Sequence, residues 1–186
     1  MRFVWHYYDD VEKRSWYSSS AFPHIQRREA ELNRRVHPAL EAISGLHLIN
    51  PPSRMRSAQY PVYSFTIDGL HYNLVVVLLN DLFGIQTRGG VSCCSVYAQH
   101  LLHIDGKRRQ RIYSQIIKGD GVPDDYGWCR VTFHYTMDDE TVEFILEALK
   151  YVAEHGHEYI REYSYDKATN NWNHLSFKII FPDLRL

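Results

Sequence analysis

The chain has 186 residues, 45% of them hydrophobic and 23% charged, which is the composition of one folded domain with a sizeable core. The formal net charge of -1 at pH 7 excludes the global positive charge typical of proteins that bind nucleic acid or anionic membranes. Three cysteines, two of them adjacent, form no disulfide framework, and the longest apolar run, 74–79, is too short to cross a membrane. We therefore expect a cytoplasmic protein.

The sequence of the first half of the chain predicts an arm, a helix, two strands and a second helix. Residues 1–22 are rich in Tyr and Trp without a clean period, so we interpret them as an arm that docks on the domain or on a neighbouring subunit. Helical spacing of apolar residues defines both helices, and a glycine follows each. The segments are helix 23–44, strand 46–49, a polar loop over 50–59, strand 60–68 and helix 70–83.

The second half predicts two short strands among further helices. The segments are strand 85–87, helices 93–104 and 105–118, a loop, strand 129–135, helix 138–155 and a tail, 163–180, that is either hairpin-like or a loose extension. Strands and helices are mixed without the regular alternation of a doubly wound sheet. This order favours an α+β fold in which helices cover a small antiparallel or mixed sheet.

Cys93 is the first candidate for chemistry. Cys93 and Cys94 follow Arg88 and two glycines and stand where a helix is predicted to begin. A helix N-terminus and a nearby arginine both lower the pKa of a thiol, which favours a reactive thiolate, and the glycines suggest a flexible approach. The alternative is an inert cysteine that packs as a small hydrophobic residue.

No metal or phosphate site is predicted. His100 and His103 are three residues apart on a predicted helix and cysteines could approach them, but there is no C-x-x-C pair and no compact zinc spacing. Gly89 and Gly90 lack the surrounding pattern of a phosphate-binding loop.

Arg130 is the second candidate. It lies inside an apolar strand, with Thr132 and His134 on its face and Val131 on the other. An unpaired buried charge is costly, so the guanidinium must meet a carboxylate, a phosphate or solvent. Either Arg130 forms an internal salt bridge or lies on an exposed strand face, or its fork binds a ligand carboxylate.

Three stretches carry a family pattern: NLVVVLLNDLFGIQTRGGVSCCSVYAQHLLHID, GWCRVTFHYTMDDETVEFILEALKYVAEHG and YSYDKATNNWNH. In this order they resemble the C-terminal part of class V aminotransferase-like proteins, the cysteine desulfurase and selenocysteine lyase branch of the fold-type I pyridoxal-phosphate (PLP) enzymes. The resemblance covers about 23–174 and implies the small C-terminal α+β domain of these enzymes. We assign that domain to 23–163, with the arm 1–22 before it and an extension, 164–186, after it.

The resemblance also implies roles for single residues. Cys93 stands where desulfurases have the thiolate that takes sulfur from the substrate, and Arg130 where the family has the arginine that grips the substrate α-carboxylate. Arg88 is assigned to substrate binding with it. The cysteine loop departs from the usual GGCSCAGPYGHRLL, because this chain reads GGVSCCSVYAQHLL.

The cofactor residues of the family have no counterpart in this sequence. In the family the Schiff-base lysine and its companions lie in a large preceding domain, whereas only 22 residues precede the matched region here. The six lysines, none in a Ser-x-His-Lys-like context, are Lys13, Lys107, Lys118, Lys150, Lys167 and Lys178. We therefore expect that this chain alone binds no PLP and is inactive by itself.

The predicted function is that of a detached C-terminal domain: an excised piece, half of a split enzyme or a truncated product. The expected partner is a large PLP-binding domain protein or a second copy of the chain, and neither nucleic acid nor a membrane. The first alternative is a non-catalytic interaction or dimerisation module that keeps the fold without the chemistry. A redox or sulfur-carrier role for Cys93 and Cys94 is a further alternative.

Overall fold

The computed structural model describes residues 21–49, 60–91, 95–123 and 125–176. The predicted loop 50–59, Cys93, Cys94 and most of the arm 1–22 lie outside these residues. The helices are α1 (Ala21–Glu41), α2 (Tyr72–Phe83), α3 (Ser95–Leu101), α4 (Gly106–Lys118), α5 (Asp139–His155) and a 3₁₀ helix (Gly156–Glu162). The strands are β1 (Leu46–Leu48), β2 (Val62–Ile67), β3 (Arg88–Gly90), β4 (Trp128–Thr132), β5 (Tyr163–Asp166) and β6 (Asn171–His174).

Four strands form an antiparallel sheet in the order β1-β2-β4-β3. In β2 and β4 the side chains alternate between the core and the outer face of the sheet. Tyr63, Phe65 and Val131 point into the core, whereas the neighbouring Ser64 and Arg130 are only half-buried. Tyr63 pairs with Val131 and Ser64 with Arg130, so the two strands present the same faces. The predicted α+β class with a small antiparallel sheet is confirmed.

The core lies between the inner face of this sheet and three helices. Each of these helices contributes a stripe of apolar side chains at helical spacing. The same spacing of apolar residues in the sequence is what predicts α1, α2 and α5. The helical core residues are Leu32, Val36 and Leu40 of α1, Leu74, Val75, Leu78 and Leu79 of α2, and Val142, Ile145, Leu146, Ala148, Leu149 and Val152 of α5. The sheet is thereby held against the helices on one face.

Helix ends follow the signals in the sequence. Asp105 accepts a hydrogen bond from the Arg108 N–H (2.7 Å) at the start of α4, and Asp138 accepts one from the Thr141 N–H (2.7 Å) at the start of α5. Gly84 ends α2 in the left-handed conformation, with φ 69°. The predicted helices 23–44, 70–83, 105–118 and 138–155 are confirmed to within a few residues.

The tail forms a hairpin, β5–β6, that packs on the domain. Tyr163 is buried, and its hydroxyl donates to the Asp81 carboxylate (3.0 Å) at the end of α2. Trp172 packs against the core from β6. The predicted boundary at residue 163 falls inside β5, so residues 164–176 continue the packed unit.

The predicted strand 85–87 is wrong. Residues 84–87 form no strand, and the strand is Arg88–Gly90, which pairs with Trp128–Arg130. Two consecutive glycines have low strand propensity, which favoured a loop at this place. The tertiary structure overrides that preference, because Gly89 packs where a side chain would not fit.

Candidate functional site

Two arginines lie opposite each other at one end of the sheet. Arg88 of the edge strand β3 and Arg130 of β4 are directly paired in the register, so their Cα atoms lie about 4.5–5.5 Å apart. Paired residues of neighbouring strands share a face, and the flanking Cys129 and Val131 point into the core. Both guanidinium groups therefore leave the sheet on its outer face. We call Arg88 and Arg130 the arginine pair.

Arg130 differs from the other half-buried arginines of the described chain. Those three are ion-paired: Arg28 with Asp139 (2.8 Å), Arg35 with Glu143 (2.7 Å) and Arg108 with Asp125 (2.8 Å). Neither member of the arginine pair forms an ion pair or a side-chain hydrogen bond with a described residue. The internal salt bridge that the sequence left open for Arg130 is therefore absent from the described part of the chain.

The electrostatics of the arginine pair favour an anion. Like charges directly opposite each other in a sheet are destabilising by roughly 0.2–1 kcal/mol, and Arg130 also pays for partial burial without a counter-charge. A carboxylate between the two guanidinium groups would relieve both costs. The guanidinium fork matches the two oxygens of a carboxylate.

Two glycines hold β3 in place. A Cβ added to Gly89 would overlap Asn73 Oδ1 and come within 3.1 Å of the Tyr72 ring, and one on Gly127 would come within 2.5 Å of that ring. The Asn73 amide is itself fixed, because it donates to the Asn170 carbonyl (2.6 Å). Gly89 therefore permits a tight contact that positions Arg88, which the flexible approach inferred from the sequence did not include.

Sequence reasoning missed the residues that support this contact. Asn170, in the turn between β5 and β6, donates to the Tyr72 hydroxyl (2.9 Å), and its backbone has φ 59°. The hairpin thus braces the start of α2, against which β3 packs. Adjacent Asn170 and Asn171 were a readable turn signal, but nothing in the sequence linked that turn to Arg88.

The cysteine candidates divide into described and undescribed residues. Cys93 and Cys94 lie outside the described residues, three and four positions after the end of β3. Cys129 is buried at 1% exposure, its thiol donates to Thr87 Oγ1 (3.4 Å), and burial raises the pKa of this thiol to about 12. Cys129 therefore stays protonated at neutral pH and packs as an apolar residue.

The described residues provide neither a metal site, nor a membrane-spanning helix, nor a lysine placed to bind PLP. They contain no group of three or more His, Cys, Asp and Glu that could hold a metal ion, and none of their helices is both long and apolar enough to span a membrane. PLP needs a lysine inside its site. The described lysines do not fit this role, because all four are exposed and none lies on the four-stranded sheet: Lys107, Lys118, Lys150 and Lys167.

Comparisons with known proteins identify a family and similar solved structures. The family model described as aminotransferase class-V matches residues 12–145, so the match begins inside the predicted arm. No curated protein matches the chain significantly. The apo structure of a cysteine desulfurase from Thermococcus onnurineus NA1 is similar, with a TM-score of 0.51 and 23% identity over 71% of this chain. The cysteine desulfurase CsdA of Escherichia coli (S-sulfonic acid) has a TM-score of 0.47 and 17% identity over 75% of this chain. This chain covers 26% and 28% of those two chains, respectively.

Proposed function

Because the chain belongs to the aminotransferase class-V family, we propose that it is the small C-terminal domain of an enzyme of this family. In this proposal the arginine pair binds the α-carboxylate of an amino-acid substrate, and Cys93, which follows β3 in the sequence, is the thiol of the same site. The α+β fold and its likeness to about a quarter of a cysteine desulfurase support the domain assignment. The proposed substrate class is therefore an amino acid of the cysteine type.

The single observation that carries the proposal is the pairing of Arg88 with Arg130 without a described counter-ion. The other half-buried arginines of the described residues, Arg28, Arg35 and Arg108, are each neutralised by a carboxylate. Two cations held together against their repulsion are better explained by an anionic ligand than by stability. The packing of Gly89 on α2 then acts to keep the pair in register before a ligand arrives.

The described residues do not fit a resident PLP, so we propose that the cofactor domain is supplied outside them and that this chain does not catalyse a PLP reaction by itself. What the chain contributes is orientation. A carboxylate held at two guanidinium groups fixes one end of the substrate and points its reactive carbon away from the sheet.

Carboxylate binding is testable on the purified chain. Titration with propionate, followed by ¹H–¹⁵N NMR at the Arg88 and Arg130 amides, should give saturable shifts with a Kd on the order of 1–10 mM, because exposed charge-assisted hydrogen bonds are individually weak. Arg130→Gln should weaken binding about tenfold, and Arg130→Lys should do so less because it keeps the charge but loses the fork. Arg161→Gln, an exposed arginine on the 3₁₀ helix, is the matched control. Equal binding by all four proteins would contradict the proposal.

Inactivity of the isolated chain is a separate test. With added PLP and L-cysteine, the chain should release sulfide no faster than PLP alone, and its absorption spectrum should show no Schiff-base band. Sulfide release above that background, abolished by substitution of one lysine, would contradict the proposed dependence on another domain.

One observation favours the interaction module as a second candidate. Val96 and Tyr97 on α3 and Ile117 on α4 are large apolar side chains exposed at 80%, 48% and 84%. If Ile117 contributes to a surface that binds a second copy, Ile117→Lys should lower the molar mass seen by light scattering from dimer to monomer. A chain that is monomeric before the substitution at high concentration would count against self-association.

A further inference from the structure

Three aromatic side chains from two helices lie together on the surface of the domain. The ring of Phe83, at the end of α2, contacts the rings of Phe144 and Tyr151 of α5 edge-on, with centroids 6.2 and 5.5 Å apart. Phe144 is exposed at 47% and Tyr151 at 39%, whereas Phe83 is half-buried and packs against the core. Single exposed hydrophobic residues are ordinary, but surface aromatic rings in mutual contact are typical of interaction sites. We call these three residues the aromatic patch.

The aromatic patch is held in place by the rest of the domain. The hydroxyls of Tyr151 and Tyr159 are hydrogen-bonded at 2.8 Å, which ties α5 to the 3₁₀ helix. The Phe83 ring packs against the core and supports both exposed rings from α2. Because a preorganised surface loses little conformational freedom on binding, more of the contact energy of these rings is available for affinity.

A row of acidic residues runs beside the patch on α5. Glu140, Glu147 and Glu154 recur at intervals of seven residues, as Phe144 and Tyr151 do, and all five side chains are exposed. Seven residues make nearly two helical turns, so each set forms a row along the helix, and the two rows lie about 50° apart around its axis. The outer face of α5 therefore presents an aromatic row and an acidic row side by side. We call the three glutamates the acidic row.

The acidic row is not neutralised within the described part of the chain. The other two acids of α5 are paired with arginines of α1, at 2.8 and 2.7 Å. In the row itself, Glu154 has Lys150 as a basic neighbour at 4.0 Å, whereas Glu140 and Glu147 form no ion pair with a described residue. The 3₁₀ helix that follows α5 adds two glutamates and one arginine. The surface around the aromatic patch therefore keeps an excess of negative charge.

We propose that the aromatic patch and the acidic row together form a docking surface for a basic amphipathic helix of another protein. The apolar side chains of such a helix cover the aromatic rings, while its Lys or Arg side chains meet the glutamates and contact the ring faces. A second copy of the chain is disfavoured, because a two-fold contact uses the same surface twice and brings two acidic rows together. The surface contains neither Arg88 nor Arg130, so it is independent of the proposed function.

The test is a titration of the full chain with a synthetic peptide, followed by ¹H–¹⁵N NMR at the Phe144 and Tyr151 amides. The probe is an amphipathic peptide of about 14 residues made of Leu, Ala and Lys, with the leucines on one helical face. It should bind with a Kd on the order of 100 μM at low salt, and more weakly at about 1 M salt, where the charges are screened. Two analogues, one with Glu in place of Lys and one with the leucines scattered around the helix, should each bind at least about fivefold more weakly.

Variants connect the binding to this surface. Phe144→Ser should weaken binding of the Leu-Ala-Lys peptide at least about fivefold, and Glu147→Gln should weaken it about twofold at low salt. The matched controls are Val96→Ser, an exposed apolar residue of α3, and Asp120→Asn, an exposed acid after α4, and neither should change the Kd.

Three results would overturn the proposal: the Glu analogue binds as well as the Lys peptide, either variant behaves like its control, or the shifts do not saturate at about ten times the expected Kd. A dimer seen by light scattering that Phe144→Ser dissociates would assign this face to a second copy of the chain and would equally overturn it.

Discussion

Replacing Gly89 with alanine should damage both the fold and the arginine pair. The added Cβ would overlap Asn73 Oδ1 and approach Tyr72 Cδ2 at 3.1 Å. Asn73 cannot swing away freely, because its amide donates to the Asn170 carbonyl (2.6 Å) and thereby joins α2 to the hairpin turn. The alanine must therefore either break this hydrogen bond or push β3, and with it Arg88, away from α2.

The size of the effect follows from these contacts. Adding a methyl group to a filled site costs about 1–3 kcal/mol, and the loss of a partly buried hydrogen bond costs about 0.5–1.5 kcal/mol. Breaking the Asn73–Asn170 hydrogen bond would make room for the new methyl group, so the two costs are alternatives and do not add. We therefore expect Gly89→Ala to lower the free energy of unfolding by about 1–3 kcal/mol. The Kd for propionate should rise as well, because Arg88 moves relative to Arg130.

Urea denaturation of four variants measures this directly. In an Asn73→Ala background the cost of Gly89→Ala should fall by about 1 kcal/mol or more, because the overlapping amide is gone. Gly106→Ala is the matched control: its Cβ would meet only the end of Arg109 at 3.9 Å in the first turn of α4, so it should be neutral or slightly stabilising. The reasoning is refuted if Gly89→Ala behaves like Gly106→Ala, or if its cost is the same with and without Asn73.

Three further predictions concern charge and pH. Because burial raises the pKa of the Cys129 thiol from 9.0 to about 12, the unfolded chain ionises first, so stability should fall as pH rises above 9. Cys129→Ala should make that fall shallower in pH-dependent urea melts, and an unchanged slope would argue against it. The Asp139 carboxyl has its pKa lowered by its hydrogen bond to Arg28, so the stabilisation it contributes is present above its ordinary value of 3.8 and lost as pH falls below it. The stability difference between wild type and Arg28→Met should therefore shrink in that acid range, and a constant difference would contradict this. Arg88→Gln should raise stability by roughly 0.2–1 kcal/mol at low salt by relieving repulsion from Arg130, and the gain should vanish near 1 M salt, where the Debye length is about 3 Å. A loss of stability at low salt would contradict the prediction that repulsion dominates the contribution of Arg88 to stability.

The helices could be predicted because their signals are local. Asp105 and Asp138 cap α4 and α5, Gly84 ends α2, and apolar residues recur on one face of each long helix. Each of these features is set by residues within a few positions of each other. For the same reason β2 and β4 were readable, since alternation defines a half-buried strand without knowledge of its partner.

β3 could not be predicted, because what makes it a strand is not local. Its two glycines argue for a loop by propensity, whereas its pairing with β4 and the contact of Gly89 with α2 are tertiary. The candidate site likewise combines a local signal, which the sequence shows, with a tertiary arrangement, which it does not. Arg130 was identifiable as a charge in an apolar strand, but its pairing with Arg88 depends on a register that appears only when the sheet is assembled.

The central claim is that Arg88 and Arg130 act together on one carboxylate, and a double-mutant cycle on propionate affinity tests it most directly. Wild type, Arg88→Gln, Arg130→Gln and the double variant would be titrated under identical low-salt conditions by NMR. If both arginines hold the same carboxylate, the double variant should bind only slightly more weakly than Arg130→Gln alone, with a coupling of about 1 kcal/mol or more between the sites. Strictly additive losses, or no loss from either substitution, would contradict the account.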